Sequence, residues 1–299
     1  MTFLPLRRPN QSGQAAPFAP PALFVASGHS TSGDMKHLIP FLKRKPMVAV
    51  IRLAGTIGSG GRSQLNDEAL GPAIEKAFSK GKPVAVALVI NSPGGSPVQS
   101  SLIAARIRRL ADEKDIPVHA FVEDVAASGG YWLAAAADDI WADPSSVLGS
   151  IGVISAGFGA QVLLSRQGIE RRVYTSGKSK SMLDPFMPEK HEDVTRLKGI
   201  LEDIHEAFVA HVKTRRGDRL ADNPDIFTGE FWLGQRAIDL GLADGIAHLV
   251  PKLKELYGDK VRLTRYGRKR GLFQRFGAEI AQDALTAIED RASYARFGL

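Results

Sequence analysis

Residues 83–98 read PVAVALVINSPGGSPV. The first eight, Pro83–Ile90, are wholly apolar. A strand without polar alternation is one covered on both faces, as in a parallel sheet flanked by helices. Asn91-Ser92-Pro93-Gly94 then supplies turn chemistry at the strand end. From Gln99 to Glu113, Leu102, Ile103, Ile107 and Leu110 fall on one stripe at helical spacing. Strand, glycine-rich turn and helix make most of a βαβ unit.

The flanks repeat the pattern. Upstream, MVAVIRLAG (Met47–Gly55) reads as a buried strand and Asn66–Lys80 as a helix. The TIGSGG turn between them is an incomplete dinucleotide loop, with Ser63 where the last fingerprint glycine belongs. Downstream, strands are expected at Ile116–Val122, Asp139–Ala142 and Ile169–Val173, with a further apolar segment at Val147–Ile154. Helices are expected at Ser128–Ala136, Gly157–Gln167 and Val194–Arg215, and a shorter one between Gly229 and Ile246. Such alternation predicts an α/β core with a mostly parallel sheet. The expected division is an arm over residues 1–44, with a short helix near Met35–Lys43, then a core over 45–250 and a basic, helical extension over 251–299. That extension would hold helices at Pro251–Tyr257 and Ala278–Ala292.

Composition excludes several chemistries. The 299 residues include no cysteine, so disulfides, thiolate nucleophiles and cysteine-based metal sites are ruled out. Seven histidines are scattered without an HExxH run, and no metal or cofactor is expected. The formal charge is +7, and Arg262–Arg275 (RLTRYGRKRGLFQR) holds six basic residues and no acid. That run suits a solvated linker or an anionic surface; nucleic-acid binding is not expected. No convincing secretory signal or transmembrane helix is seen, and a cytoplasmic or membrane-peripheral location is expected.

Three constellations could carry chemistry. Gly94-Gly95, beyond a strand end, leaves backbone amides open to a ligand or simply turns the chain. Ser128, within AASGGY, is a hydroxyl among small residues: a nucleophile open to a bulky acyl group, or a helix N-cap. Gly177-Lys178-Ser179-Lys180 fails as a phosphate loop because Arg172 stands where the first glycine belongs. Its lysines are surface charge unless one is desolvated enough to act as a base.

These motifs together resemble the signal peptide peptidase A family, whose wider fold group includes the Clp protease and crotonase-like enzymes. The resemblance covers Met47 to Leu249. It rests on NSPGG at 91–95, ASGGY at 127–131, the LGSIGV run at 148–153, and GKSK at 177–180 with its trailing proline, Lys180 standing 52 positions after Ser128. It implies a Clp/crotonase-like fold of repeated β-β-α units in a single copy. It implies Ser128 as nucleophile, Lys180 as general base, Ser150 orienting that lysine, and Gly129 with Gly94 or Gly95 as oxyanion donors. Lys178 is expected to be exposed. The implied substrate is a signal-peptide-like or unfolded apolar peptide, cleaved without a cofactor through an acyl-enzyme. Family members usually carry an N-terminal membrane anchor and the longest duplicate the core; neither is expected here. A single core implies a homo-oligomer with a shared cavity, possible at a membrane surface. The rival readings are a crotonase-like acyl-CoA enzyme and a catalytically silent scaffold for membrane-associated partners.

Overall fold

The computed structural model describes residues 45–59, 64–177, 179–267 and 291–299. The expected arm, Lys178, and the terminal helix as far as residue 290 lie outside them. Seven α-helices and eight strands follow in chain order among the described residues, besides two short 3-10 turns and a last helical stretch at residues 291–295. They are β1 (Met47–Ala54), α1 (Asp67–Ser79), β2 (Ala85–Ser92), α2 (Pro97–Lys114), β3 (Val118–Ala127), α3 (Gly129–Ala135), β4 (Asp139–Ala142) and β5 (Val147–Gly149). Then come α4 (Gln161–Arg166), α5 (His191–Arg216), β6 (Phe231–Leu233), α6 (Gly234–Asp239), β7 (Gly245–Ile246), α7 (Leu249–Tyr257) and β8 (Arg262–Tyr266). The result is a mixed α/β fold of repeated β-α units around one sheet.

The sheet runs β6-β5-β3-β2-β1-β8, with β4 and β7 branching from β3. Every pairing is parallel except β5 with β6. Period-two alternation sorts the apolar strands between two layers. Ala49, Ile51, Leu53, Val86, Leu88 and Ile90 join the larger core, which includes Ile74, Phe78, Ile103 and Ile107 from α1 and α2. Val48, Val50, Ala85, Ala87 and Val89 turn to the other face, where Leu253 of α7 packs. Burial on both faces is why Pro83–Ile90 shows no polar alternation.

Local chemistry sets the helix starts. The Asn66 side chain accepts from the Ala69 amide at 2.9 Å, and Ser96 caps α2 ahead of Pro97. α1 is tied to α2 by Arg106, whose guanidinium donates to both oxygens of Asp67 at 2.7 and 2.6 Å. The Arg106 hydrogen bonds hold the Asp67 carboxyl below its ordinary value of 3.8, against a smaller opposing effect of burial. A depressed folded-state pKa gives stability that is present above 3.8 and lost as pH falls through the lower value. Arg106→Ala is therefore expected to destabilise the fold by about 1–2 kcal/mol near neutrality. The gap to the wild type should shrink in denaturant titrations below pH ~4.

Four segments differ from expectation. β3 runs on to Ala127 because Val125–Ala127 gain a ladder with β5. Only Val147–Gly149 of the 147–154 segment is strand, since Ser150 turns away with φ 52°. Ile169–Val173 is not a strand. It has no partner ladder among the described residues, and residues 169–172 are exposed. Conversely, β8 comes from the basic run and pairs with β1, so the sheet extends past residue 250. Arg262 and Arg265 of β8 are exposed, charges that discourage further strand pairing at an edge.

Candidate active site

Ser128 sits at the corner between β3 and α3, with φ 51° and ψ −123°. A positive φ at a residue with a Cβ costs about 1–3 kcal/mol and persists only where the surroundings impose it. Here the Ser128 amide donates to the Gly149 carbonyl at 2.8 Å, and the Ser128 carbonyl accepts from Tyr131 and Trp132. Ser128 occupies the N-cap position of α3, yet its side chain makes no capping hydrogen bond. The hydroxyl therefore does not serve the role that commonly explains a serine at a helix start.

The Gly94-Gly95 turn lies against this corner. Gly94 has φ 101°, and a Cβ there would stand 2.7 Å from the Gly129 nitrogen and 2.8 Å from the Ser128 Cβ. Gly95 has φ 141°. The turn is clamped by two bonds, from the Ile57 amide to the Gly94 carbonyl and from the Ser96 amide to the Ile57 carbonyl, both 2.8 Å. The Gly94 amide is directed to the buried Ser92 hydroxyl at 3.3 Å. Neither the Gly95 nor the Gly129 amide is paired with an acceptor among the described residues. The two lie close together, as a Cβ on Gly129 would sit 3.3 Å from the Gly95 nitrogen.

Ser150 is buried and donates its amide to the Glu230 carbonyl at 2.6 Å. It follows Gly149, so the nucleophile candidate and Ser150 are joined through one backbone hydrogen bond. A cleft of about 1000 Å³ contains Ser128, Gly94, Gly95, Gly129 and Ser150 on one side. α5 forms the facing wall with Leu201, Ile204, His205 and Phe208. Trp132 of the floor stacks on Phe208 at 4.7 Å and on His211 at 5.2 Å. Burial holds the His211 imidazole below its ordinary pKa, partly offset by its hydrogen bond to the Trp132 carbonyl.

α5 is itself pinned at its C-terminal end. Arg216 is buried and forms a two-point pair with Asp244 at 2.8 and 3.0 Å, and also donates to the Gly241 carbonyl. Burial raises the Asp244 pKa, but hydrogen bonds and charge from Arg216 outweigh it and hold the carboxyl below its ordinary value.

Five of the six expected site residues thus share one cleft. Lys180 does not line it. It lies in an exposed turn, its amide donating to the Gly177 carbonyl at 3.3 Å. Arg196 of α5 bonds the neighbouring Ser179 hydroxyl at 2.6 Å, and the Pro185 carbonyl accepts from Ala160 at 2.7 Å. Sequence reasoning assigned no site role to α5, to Trp132 or to His205, whose ring donates to the Ile151 carbonyl at 3.2 Å beside Ser150. Among the described residues no cluster of three or more metal-ligating side chains is present, and no helix is long and apolar enough to cross a membrane.

The fold and cleft define an α/β protein with an uncapped serine on a strained strand-to-helix corner, beside two unpaired backbone amides. The sequence comparisons say which one. The chain belongs to peptidase family S49, the SohB- and SppA-like serine proteases, and that family's match spans residues 111–258. It is 30% identical over 250 residues to the probable protease SohB of Haemophilus influenzae, covering 82% of this chain and 68% of that one. It is 47% identical over 288 residues to a protein of Brucella melitensis named Na(+)/H(+) antiporter NhaA. That alignment takes in 89% of this chain, and the chain spans 39% of the Brucella protein's length. A solved structure of a mutant 1510-N membrane-bound stomatin-specific protease with a substrate peptide is 15% identical, with a TM-score of 0.49. The match covers 83% of this chain and 99% of that one.

Proposed function

We propose that this chain is a serine endopeptidase using Ser128 and Lys180 as a dyad, on a core arranged like the Clp and crotonase-like group. The observation that carries the proposal is the uncapped Ser128 hydroxyl on a positive-φ corner beside the Gly95 and Gly129 amides. Lys180 accepts the Ser128 proton as Oγ attacks a peptide carbonyl. The Gly95 and Gly129 amides hold the oxyanion; the Gly94 amide is already directed to Ser92. The lysinium returns its proton to the leaving amine, giving an acyl-enzyme and a free amino terminus. Water, deprotonated by the same lysine, releases the carboxylic acid and regenerates the serine. Ser150 orients the lysine.

Lys180 must then reach the cleft from an exposed turn. Exposed apolar side chains between residues 158 and 174 favour assembly: Phe158 and Tyr174 are 94% and 91% exposed, and α4 buries no residue, with Val162 and Leu163 open to solvent. Large apolar side chains left in water mark candidate interfaces. Packing them on a second copy would desolvate the turn and bring the base to a neighbour's serine, so a homo-oligomer is part of this reading. The apolar α5 wall suits unfolded, apolar or signal-peptide-like substrates, and kinship with longer proteins bearing an antiporter's name fits a membrane-peripheral station.

The test is Ser128→Ala assayed on an unstructured apolar peptide. Hydrolysis should fall by at least about 10³-fold with an unchanged circular dichroism spectrum. Retained activity would remove Ser128 from the mechanism.

A further inference from the structure

Residues 291–295 are helical and, with the turn that follows them, form a second wall of the Ser128 cleft, through Ala292, Ser293 and Arg296. Their attachment follows from strand alternation. Ala126 of β3 and Leu148 of β5 turn into the main core, so Val125, Ala127 and Val147 face the opposite side. There they form a separate small cluster, and the partly buried hydrophobic residues packed on it are Tyr294 and Phe297. Phe297 also meets the Phe231 ring edge-on at 5.2 Å, and the Tyr294 hydroxyl donates to the Asn91 carbonyl at 2.7 Å. The segment is therefore anchored on both β2 and β5, the strands that lead into and brace the oxyanion turn and the Ser128 corner. Ser128 still lines the same cleft, so the segment is a wall of it and not a plug.

Arg296 is the one Lys or Arg among the described residues that lines this cleft. It is exposed, and no carboxylate pairs with it among the described residues. Its guanidinium lies over its own Phe297 ring at 5.8 Å, which keeps it beside the anchoring aromatic. The facing wall contributes Glu202, which is not within ion-pair reach of it.

We infer that Arg296 is a specificity-determining residue that receives a carboxylate of the bound peptide, held in place by the Tyr294 and Phe297 anchors. The inference rests on the peptidase reading of the cleft, and its test is separable from that reading because it measures binding without turnover. The 299-residue Ser128→Ala chain is titrated with fluorescent apolar peptides of one backbone sequence. One carries a Glu within the chain and an amidated end, one a free terminal carboxylate, and one neither charge. At least one carboxylate peptide should bind roughly threefold to fivefold tighter than the neutral peptide at low salt, and the advantage should vanish in high salt. Which of the two shows it identifies the source of the carboxylate.

Adding Arg296→Gln should abolish the preference without weakening the neutral peptide, and Arg296→Lys should restore part of it. Tyr294→Ala with Phe297→Ala should abolish it as well, since the wall is then unanchored. Equal affinity for all three peptides in the Ser128→Ala protein, or a preference that survives Arg296→Gln, overturns the inference. If no peptide binds at all, the inference falls together with the peptidase reading. Binding with a carboxylate preference, but wild-type protein that does not hydrolyse the peptides, would leave Arg296 as the reader and remove only the chemistry.

Discussion

Co-expressing the Ser128→Ala and Lys180→Ala chains is expected to restore peptide hydrolysis to about a quarter of the wild-type rate, the chance that a random mixture joins an intact serine to an intact lysine from another copy. Each variant alone should be at least about 10³-fold slower than wild type. The expectation comes from position: Ser128 lines the cleft, whereas Lys180 sits in an exposed turn outside it. A lysine in water is protonated at neutral pH and cannot accept a proton, so it must be both moved and dried by something. A neighbouring copy on the exposed Phe158, Val162, Leu163 and Tyr174 surface would do both. The measurement is the steady-state rate of the co-purified mixture against each parent. Failure to complement, with both parents inactive, would place the two residues in one chain.

Gly95→Ala is expected to be among the most damaging single-methyl additions to this fold. The new Cβ would stand 2.0 Å from the Ile57 carbonyl oxygen, at φ 141°, and neither partner is a movable side-chain end. Relief requires shifting the backbone that clamps the oxyanion turn. A loss of about 3 kcal/mol or more is expected, together with most of the hydrolytic activity. Gly157→Ala is the matched control: nothing lies within 4 Å of its Cβ position, and its φ is not in the left-handed region. It should change stability by less than about 0.5 kcal/mol. Chemical denaturation of both proteins checks the contrast.

Most of the sheet could be read from the chain because burial on two faces leaves an unmistakable mark. β1 and β2 alternate between two cores and so carry apolar residues at nearly every position. The Gly94-Gly95 turn and Ser128 were legible for a related reason: small residues are demanded where backbones approach closely. Ile169–Val173 misled because β propensity cannot supply a partner strand. β8 was hidden by its arginines, which belong to an edge and looked like a linker. The α5 wall was invisible as a site, since Leu201, Ile204 and Phe208 follow the same periodicity as any packed helix. What makes them cleft residues is the tertiary placement of α5, whose C-terminal end is held by Arg216 and Asp244, a contact between positions 28 apart that no local pattern announces.

β3 forks. Its first half pairs with β4, and its last three residues pair with β5 instead. The serine is thus carried by the β5 branch, since its amide is held by Gly149, and Ser150, which follows Gly149, is held by Glu230. The β4 branch pairs onward with β7, and Asp244 just before β7 holds the end of α5 through Arg216. The fork, at Glu123 and Asp124, thus parts the pairing that places the serine from the pairing that leads to the anchor of α5.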